Sequence, residues 1–167
     1  MNNFEDGCIV PNGVKFANVD YDTFFQFKLQ KGDILFNRTN SYDLVGKVGI
    51  FLLDGDYTFA SYLIRLTVDT KRANHFFVNF LLNTPSFQSK LRALATRGSS
   101  QCNINATNLK SLLVPVPPLK EQERIASLLS SINSRKDAEK RVKEMLENLK
   151  KGLMQVLLTG KVRVKMN

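Results

Sequence analysis

The sequence predicts an α+β fold followed by a long C-terminal α-helix that forms an antiparallel coiled coil, and three observations support this class. Residues 25–68 contain short apolar runs separated by turn signals, which is typical of β-strands. Residues 73–94 carry apolar side chains at helical spacing instead. From residue 119 onward a proline-free amphipathic pattern continues for about forty residues, which is too long for an ordinary surface helix.

The long helix is predicted over Leu119–Leu158. It begins after a proline-rich stretch at residues 115–118 and ends before Gly160, because glycine suits the left-handed position past a helix end. Acidic side chains in its first turn, and Lys150 and Lys151 near its end, complement the helix dipole. At about 1.5 Å per residue the helix would span roughly 60 Å, so we expect it to project from the domain and to need a partner.

A seam of mostly apolar residues follows this helix in alternating steps of three and four, the period typical of coiled coils. In an antiparallel pair of identical helices, Arg135 of one chain would face Glu139 of the other, and these ion pairs would set the register. The alternative is that the helix breaks near Asn133-Ser134 and folds back as a hairpin. The predicted dimerisation residues are Ile125, Leu128, Ile132, Arg135, Glu139, Val142, Leu146, Leu149, Leu153 and Val156.

Four strands are predicted in the first half of the chain. Phe25, Phe27 and Leu29 alternate with polar residues, which predicts a half-buried strand over residues 25–30. A short buried strand is expected next, then an apolar strand, and then a returning strand after the Asp54-Gly55 turn. These three strands are predicted at residues 34–36, 44–53 and 57–68.

The second half of the domain is predicted to be mainly helical. One helix is expected over residues 73–83, and after a break at Pro85 a second helix begins with Ser86 as its cap. A short helical turn is expected at residues 107–113. Residues 113–116 resemble a last strand before the prolines, and residues 161–165 are expected to form an edge strand or a frayed tail.

Composition favours a polyanionic partner and an intracellular setting. The formal net charge is +9, and residues 119–167 carry 12 basic and 6 acidic side chains. Such a balance suits nucleic acid. Cys8 and Cys102 lie far apart without metal-ligand spacing, so free thiols in the cytoplasm are expected. The first residues lack a signal peptide, and the longest apolar run, residues 48–53, is too short to span a bilayer.

Residue patterns give little support to an enzyme. The sequence has no phosphate-binding glycine loop and no glycine-serine elbow. His75 is the single histidine and has no neighbouring carboxylate or cysteine cluster, so a packing role is expected rather than metal binding or catalysis. We therefore expect no catalytic residue, no metal and no cofactor.

Two polar loops, residues 37–43 and 97–105, have the chemistry of a DNA-binding surface. Arginine pairs bidentately with guanine and asparagine with adenine, while hydroxyl groups and lysine contact phosphates. The alternative is that both are ordinary solvated loops whose small polar residues only make turns. The candidate DNA-binding residues are Arg38, Thr39, Asn40, Ser41, Tyr42, Lys47, Arg97, Ser99, Ser100, Gln101 and Asn103.

Several segments carry a family resemblance through their order and spacing, and they are Lys31–Thr39, Leu44–Lys47, Arg97–Ser99, Asn108-Leu109, Val114–Ile125, Leu149–Gly160 and Lys161–Val164. Together they resemble the specificity subunit of type I restriction-modification enzymes. In that family a mixed α/β target recognition domain is followed by a long spacer helix. A full-length subunit has two such domains and two antiparallel helices, and the two domains read the two halves of a split DNA sequence.

The resemblance implies a half subunit. Residues 1–118 would be a target recognition domain that is shortened at its N-terminus, residues 119–160 the spacer and dimerisation helix, and residues 161–167 a basic tail. The chain would form a homodimer, bind double-stranded DNA, and position methyltransferase and restriction subunits without catalysis of its own. The alternative is a truncated coiled-coil adaptor or decoy that binds specificity or methyltransferase subunits without reading DNA.

Overall fold

The computed structural model describes residues 3–98 and 101–165. The chain divides into two compact units, Met1–Ala126 and Ser127–Asn167. The strands, in chain order, are β1 (Phe4–Glu5), β2 (Cys8–Ile9), β3 (Ile34–Asn37), β4 (Thr39–Asn40), β5 (Val48–Ile50), β6 (Leu63–Leu66), β7 (Thr96–Arg97) and β8 (Cys102–Asn103). The helices are α1 (Tyr21–Phe27), α2 (His75–Leu82), α3 (Pro85–Ala93), α4 (Ala106–Lys110) and α5 (Leu119–Leu157). This content confirms the predicted α+β class with a long C-terminal helix.

The larger sheet of the described residues has the strand order β1-β2-β5-β3-β6. Its buried strand β3 pairs antiparallel with β5 on one side and with β6 on the other. Because side chains alternate along a strand, β3 supplies two cores. Ile34 and Phe36 belong to the main core with residues of α2 and α3, whereas Leu35 belongs to a second cluster with Leu29 and Phe51.

The predicted strand at residues 25–30 is wrong, because this segment contributes to helix α1. The Asp20 side chain accepts a hydrogen bond from the backbone N–H of Thr23 and so caps the helix. Tyr21 and Phe25 then lie one turn apart, with ring centroids separated by 4.6 Å. The local capping signal overrides the alternation of apolar residues, and of the three residues that suggested a strand only Leu29 is buried.

The other strands are shorter than predicted. The strand expected at residues 44–53 is limited to β5, because Leu44 and Val45 donate backbone hydrogen bonds to the Ser41 carbonyl and form a turn. The strand expected at residues 57–68 is limited to β6. Residues 113–116, all of them described, form no strand, because Pro115 within the segment and Pro117 directly after it cannot donate to a sheet. In the described part of the tail, residues 161–165 form no strand either.

Both helices predicted between residues 73 and 94 are present. The Asn74 side chain caps α2 by accepting from the backbone N–H of Phe77. The predicted cap of the next helix is wrong, because Thr84 rather than Ser86 accepts from the Phe87 N–H. Pro85 occupies the first turn of α3, where a backbone N–H would have no partner within the helix. The proline is therefore the first residue of the helix and directly follows its cap, Thr84.

The predicted long helix is confirmed as α5, and it is continuous through Asn133-Ser134, so the hairpin alternative is wrong. Gly160 follows the helix with a φ of 73°, as expected for a glycine past a helix end. The last turn of α5, which lies wholly within the described residues, has no basic side chain, because Lys150 and Lys151 precede that turn. None of the helices among the described residues is long and apolar enough to cross a membrane.

The first turns of α5 belong to the first unit, and one amide side chain holds them there. Gln122 has 0% of its surface exposed. Its Oε1 accepts from the backbone N–H of Asn74 at 2.9 Å, and its Nε2 donates to the carbonyls of Pro117 at 2.7 Å and Arg72 at 3.3 Å. The start of α5, the segment before it and the cap of α2 are therefore joined through one residue.

Candidate nucleic-acid interface

A second sheet of the described residues brings the two polar loops together. Its strand order is β4-β8-β7, and both pairs are antiparallel. Thr39 lies opposite Asn103, which in turn lies opposite Thr96, and Arg97 lies opposite Cys102. Segments that are distant in sequence thus become neighbours on one small surface, which we call the β4–β8–β7 surface.

Alternation along β8 explains why this surface is polar. Cys102 and Ile104 are buried in the main core, whereas Asn103 between them is exposed. The backbone N–H of Ile104 donates to the Arg38 carbonyl at 2.8 Å, and the Arg38 N–H donates to the Tyr62 carbonyl at 3.0 Å. The backbone of Arg38 is therefore tied to β8 and to the segment before β6, so the position of this cation is defined by the core.

Asn103 contacts two residues of the other loop. Its Oδ1 accepts from Arg38 Nε at 3.4 Å and from Thr39 Oγ1 at 3.3 Å. Because the guanidinium group is planar, a contact at Nε fixes the plane in which the two Nη groups lie. Asn103 thereby orients Arg38, and its own amide NH₂ is turned away from these contacts.

Arg97 and Tyr42 form a cation–π pair across the two loops. The guanidinium carbon of Arg97 lies 4.5 Å from the centroid of the Tyr42 ring. The Tyr42 side chain is 44% exposed, so the pair faces solvent. A cation–π contact of this kind restricts the guanidinium group to the face of the ring. The ring of Tyr42, a predicted DNA-binding residue, thus contacts an arginine of this chain.

The remaining described candidate residues lie at the end of β4 and in the segments around this surface. Asn40 Oδ1 accepts from the backbone N–H of Ser41 at 2.8 Å. The carbonyl of Lys47 accepts from the Asn37 N–H at 2.9 Å, which places Lys47 beside the end of β3. Gln101 is exposed and its carbonyl accepts from Gly98 at 2.8 Å. The predicted residues Ser99 and Ser100 lie outside the described part of the chain.

Sequence reasoning missed that the first polar loop begins with a structural residue. Asn37 is completely buried, and its Nδ2 donates to the carbonyl of Leu44 at 2.9 Å, which closes the loop on itself. The signal was present, since Asn37 directly follows the three apolar residues of β3. The polar loop that can meet a ligand therefore begins at Arg38.

Among the described residues, no group of three or more His, Cys, Asp or Glu side chains is arranged to hold a metal ion. His75 packs instead. Its ring lies 4.6 Å from that of Phe76 and close to Gly32, whose φ of 96° requires a glycine in that turn.

The predicted dimerisation residues follow one stripe of α5. Within the single chain, Ile125 and Val156 are half-buried and the other apolar members are exposed, and those are Leu128, Ile132, Val142, Leu146, Leu149 and Leu153. Arg135 Nε contacts Glu139 Oε1 of the same helix at 3.1 Å. The strict seam of threes and fours missed further exposed apolar residues beside it, which are Leu129, Met145, Met154 and Leu157.

Comparison with known proteins places these features in a family. Residues 7–148 match the family described as Type I restriction modification DNA specificity domain. This match covers most of the chain, and the chain therefore belongs to that family. The predicted resemblance is confirmed.

Individual relatives agree with this assignment. The chain is 32% identical to the type I restriction enzyme MjaVIII specificity subunit of Methanocaldococcus jannaschii, covering 99% of this chain and 39% of that protein. It is 28% identical to the type I restriction enzyme EcoKI specificity subunit of Escherichia coli, and the match covers 93% of this chain and 35% of that protein. A crystal structure of the S subunit from M. genitalium has the same fold, with a TM-score of 0.63 and 23% identity, covering 78% of this chain and 33% of that one. The chain thus spans between a third and two fifths of these proteins.

Proposed function

We propose that this chain reads one half of a bipartite DNA sequence as the recognition component of a type I restriction-modification complex. Two copies would pair through α5 and together act as one specificity subunit. Methylation and cleavage would belong to the methyltransferase and restriction subunits that the dimer positions, and the chain itself would need no cofactor. The observation that carries the proposal is the β4–β8–β7 surface, where two loops and two oriented arginines meet beside one another.

The two arginines suit different contacts with DNA. Arg97 lies over the Tyr42 ring, and a guanidinium group held there keeps donors for a bidentate contact with guanine O6 and N7. Arg38 is held at Nε by Asn103, so its Nη groups suit a phosphate or a second base. Exposed Asn103 and Gln101 add side-chain amides to the same surface. We therefore assign the main base contact to Arg97, and we assign to Arg38 the main contact that positions the chain on the duplex.

The test of function is selection of bound duplexes from a randomised DNA library, with the purified chain and with the chain bound to methyltransferase subunits. We expect enrichment of an inverted repeat with a fixed spacer, because a two-fold dimer presents the same surface twice. Binding that loses all affinity as salt rises, with no enriched sequence, would indicate a basic arm that binds DNA without specificity. A dimer that binds no DNA would favour the adaptor or decoy alternative.

Replacing Arg97 with alanine is expected to weaken binding to the selected sequence by about 10-fold to 100-fold and to relax the preference at one base pair, since a bidentate pair contributes roughly 1–3 kcal/mol. Replacing Arg38 with alanine is expected to weaken binding to all DNA sequences by a similar factor and to reduce the salt dependence of binding. Fluorescence anisotropy with a panel of single-base variants measures both. Lys31→Ala is the matched control, because Lys31 lies at the opposite end of β3 and pairs with Asp54. Equal losses from all three substitutions would contradict the assignment.

Symmetry of the α5 sequence supports an antiparallel homodimer. Residues equally distant from Asp137 match one another, so that Arg135 corresponds to Glu139. The apolar residues match in the same way, and the pairs are Ile125 with Leu149, Leu128 with Leu146, Leu129 with Met145, and Ile132 with Val142. An antiparallel pair centred on Asp137 would therefore place these apolar residues opposite each other from Ile125 to Leu149. A parallel pair would instead place Arg135 opposite itself.

Mixing two charge variants tests this pairing. Arg135→Glu and Glu139→Arg each put like charges within one helix and between two copies, so each dimer is expected to weaken about tenfold. Mixed together, they are expected to form a heterodimer, because each glutamate then faces an arginine of the other chain. Light scattering gives the masses. If the mixture remained as monomeric as the separate variants, the Arg135–Glu139 contact would act only within one helix, as its 3.1 Å distance there allows.

A further inference from the structure

In the proposed register the last residues of α5, Val156 and Leu157, extend beyond the start of the partner's helix at Leu119. The matched apolar pairs extend from Ile125 to Leu149, and Leu153 then corresponds to Glu121. Beyond that point the chain remains apolar. Leu158 is 78% exposed, and Met154 and Leu157 are exposed as well. The end of each helix would thus pass the start of the partner's helix with an apolar surface that the coiled coil does not cover.

A groove in the first unit lies where this surface would arrive. Its volume is about 680 Å³. Two segments of the chain line it, and the residues are Asp69, Lys71, Arg72 and Ala73 in the first and Val116, Pro117, Pro118 and Leu119 in the second. At equal distances from Asp137, the residues of the helix end correspond in reverse order to residues of the other copy. The pairs are Val156 with Pro118, Leu157 with Pro117, and Leu158 with Val116. Val116 is 53% exposed at the groove. The register therefore brings an apolar helix end to an apolar wall.

Charge complementarity supports the same occupant. The last carbonyls of an α-helix lack partners and carry a partial negative charge. Within α5, all of it described, the last turn has no basic side chain to offset that charge. Lys71 and Arg72 line the groove, and their positive charges would offset the negative end of a docked helix.

The groove is also held in shape before any partner arrives. The carboxylate of Asp69 accepts from the backbone N–H of Lys71 at 3.0 Å, and its carbonyl accepts from Arg72 and Ala73. The Gln122 side chain donates to the carbonyls of Arg72 and Pro117, which both line the groove. A binding surface of this kind loses little freedom when it is filled.

From these observations we propose that the C-terminal turn of α5, with Leu157 and Leu158, docks in this groove of a second copy. The inference rests on the proposed homodimer and adds a contact outside the coiled coil. Each helix is then held at both ends, by Gln122 in its own unit and by the groove in the partner.

The test is chemical crosslinking between two differently substituted chains. In a background with Cys8→Ser and Cys102→Ala, chains with Val116→Cys are mixed with chains with Leu158→Cys and treated with a short bis-maleimide. Chains with Ile132→Cys and Val142→Cys serve as the register reference. The matched control combines Leu158→Cys with Ser86→Cys, an exposed position on α3. We expect covalent dimers from the first two mixtures and none from the control.

The reference mixture separates the two proposals. If positions 132 and 142 crosslink but positions 116 and 158 do not, the docking is overturned and the antiparallel dimer stands. If neither mixture crosslinks and the wild type has a monomeric mass, the homodimer fails and the docking fails with it. A second measurement, by sedimentation, is expected to show that Leu158→Glu raises the dimer dissociation constant about tenfold, whereas Gln155→Glu on the same turn leaves it unchanged. Equal effects of the two substitutions would also overturn the docking.

Discussion

Replacing Gln122 with leucine is expected to lower the free energy of unfolding of the first unit by about 3 kcal/mol, which corresponds to a fall of roughly 10 °C in Tm. The leucine fills similar space but leaves the Asn74 N–H and the carbonyls of Pro117 and Arg72 without the partner they have in the native chain. Each backbone group left unsatisfied in a buried site costs about 1–3 kcal/mol. Thermal and urea denaturation followed by circular dichroism measure the loss.

Two further substitutions make this test specific. Glu123→Leu changes the adjacent exposed residue of the same helix and is expected to leave stability nearly unchanged. Gln122→Glu keeps the shape and the acceptor but buries a carboxyl group, whose pKa is expected to rise through burial. A raised pKa in the folded state means that the folded protein binds the proton more tightly, so the stability of this variant should increase as the pH falls. A Gln122→Leu protein as stable as the Glu123→Leu protein would show that these hydrogen bonds contribute little.

Lengthening α5 by one heptad is expected to change which DNA sites are bound. Gln122 lies fifteen residues before Asp137, so in the proposed dimer the two Gln122 residues are separated by roughly 45 Å along the helices. Duplicating residues 133–139 adds seven residues and repeats both Arg135 and Glu139. Every seam arginine then still meets a glutamate of the partner, and the seam keeps its face because seven residues complete the heptad. The separation increases by about 10 Å, or about three base pairs.

The expected result is therefore a new preferred spacer that is about three base pairs longer. Affinity for the original spacing should fall by about 100-fold or more, because only one half-site can be engaged at a time. Binding to duplexes with a series of spacer lengths measures the shift. An insertion of four residues at the same point is the control, since it breaks the seam and should weaken the dimer itself. An intact dimer of the lengthened chain that kept the original spacer would contradict the proposal that α5 sets the spacing.

The long helix could be predicted almost to the residue, because its signals are local. A block of prolines precedes Leu119, Gly160 follows the end, and the seam keeps a period of 3.5 with polar residues only at Arg135 and Glu139. The strand expected at residues 25–30 failed for a related reason. A three-residue capping signal at Asp20 decided the conformation there, and alternation over six residues was too weak to oppose it.

The residue types of the candidate site could be predicted from the sequence, but the way in which the two loops come together could not. The residue types in the two polar loops indicated DNA contact, yet strands of only two residues have no periodicity that a sequence pattern could show. The pairing of Arg97 with Tyr42 and of Arg38 with Asn103 depends on that assembly. Gln122 was missed because a glutamine in an amphipathic helix is usually a surface residue. Its burial follows from the neighbouring backbone groups, which only the folded chain brings together.

The shortness of β4, β7 and β8 has a consequence for motion at the interface. Strands of two residues share few ladder hydrogen bonds, so this sheet can open locally without unfolding of the buried strand β3. In native-state hydrogen exchange, the amides of Asn40 and Arg97 should therefore exchange much faster than those of Leu35 and Phe36. If this surface recognises DNA as proposed, its flexibility on a rigid core would let its loops adjust to a duplex. The slowing of exchange at β4, β7 and β8 on binding would then report how much order the DNA itself supplies.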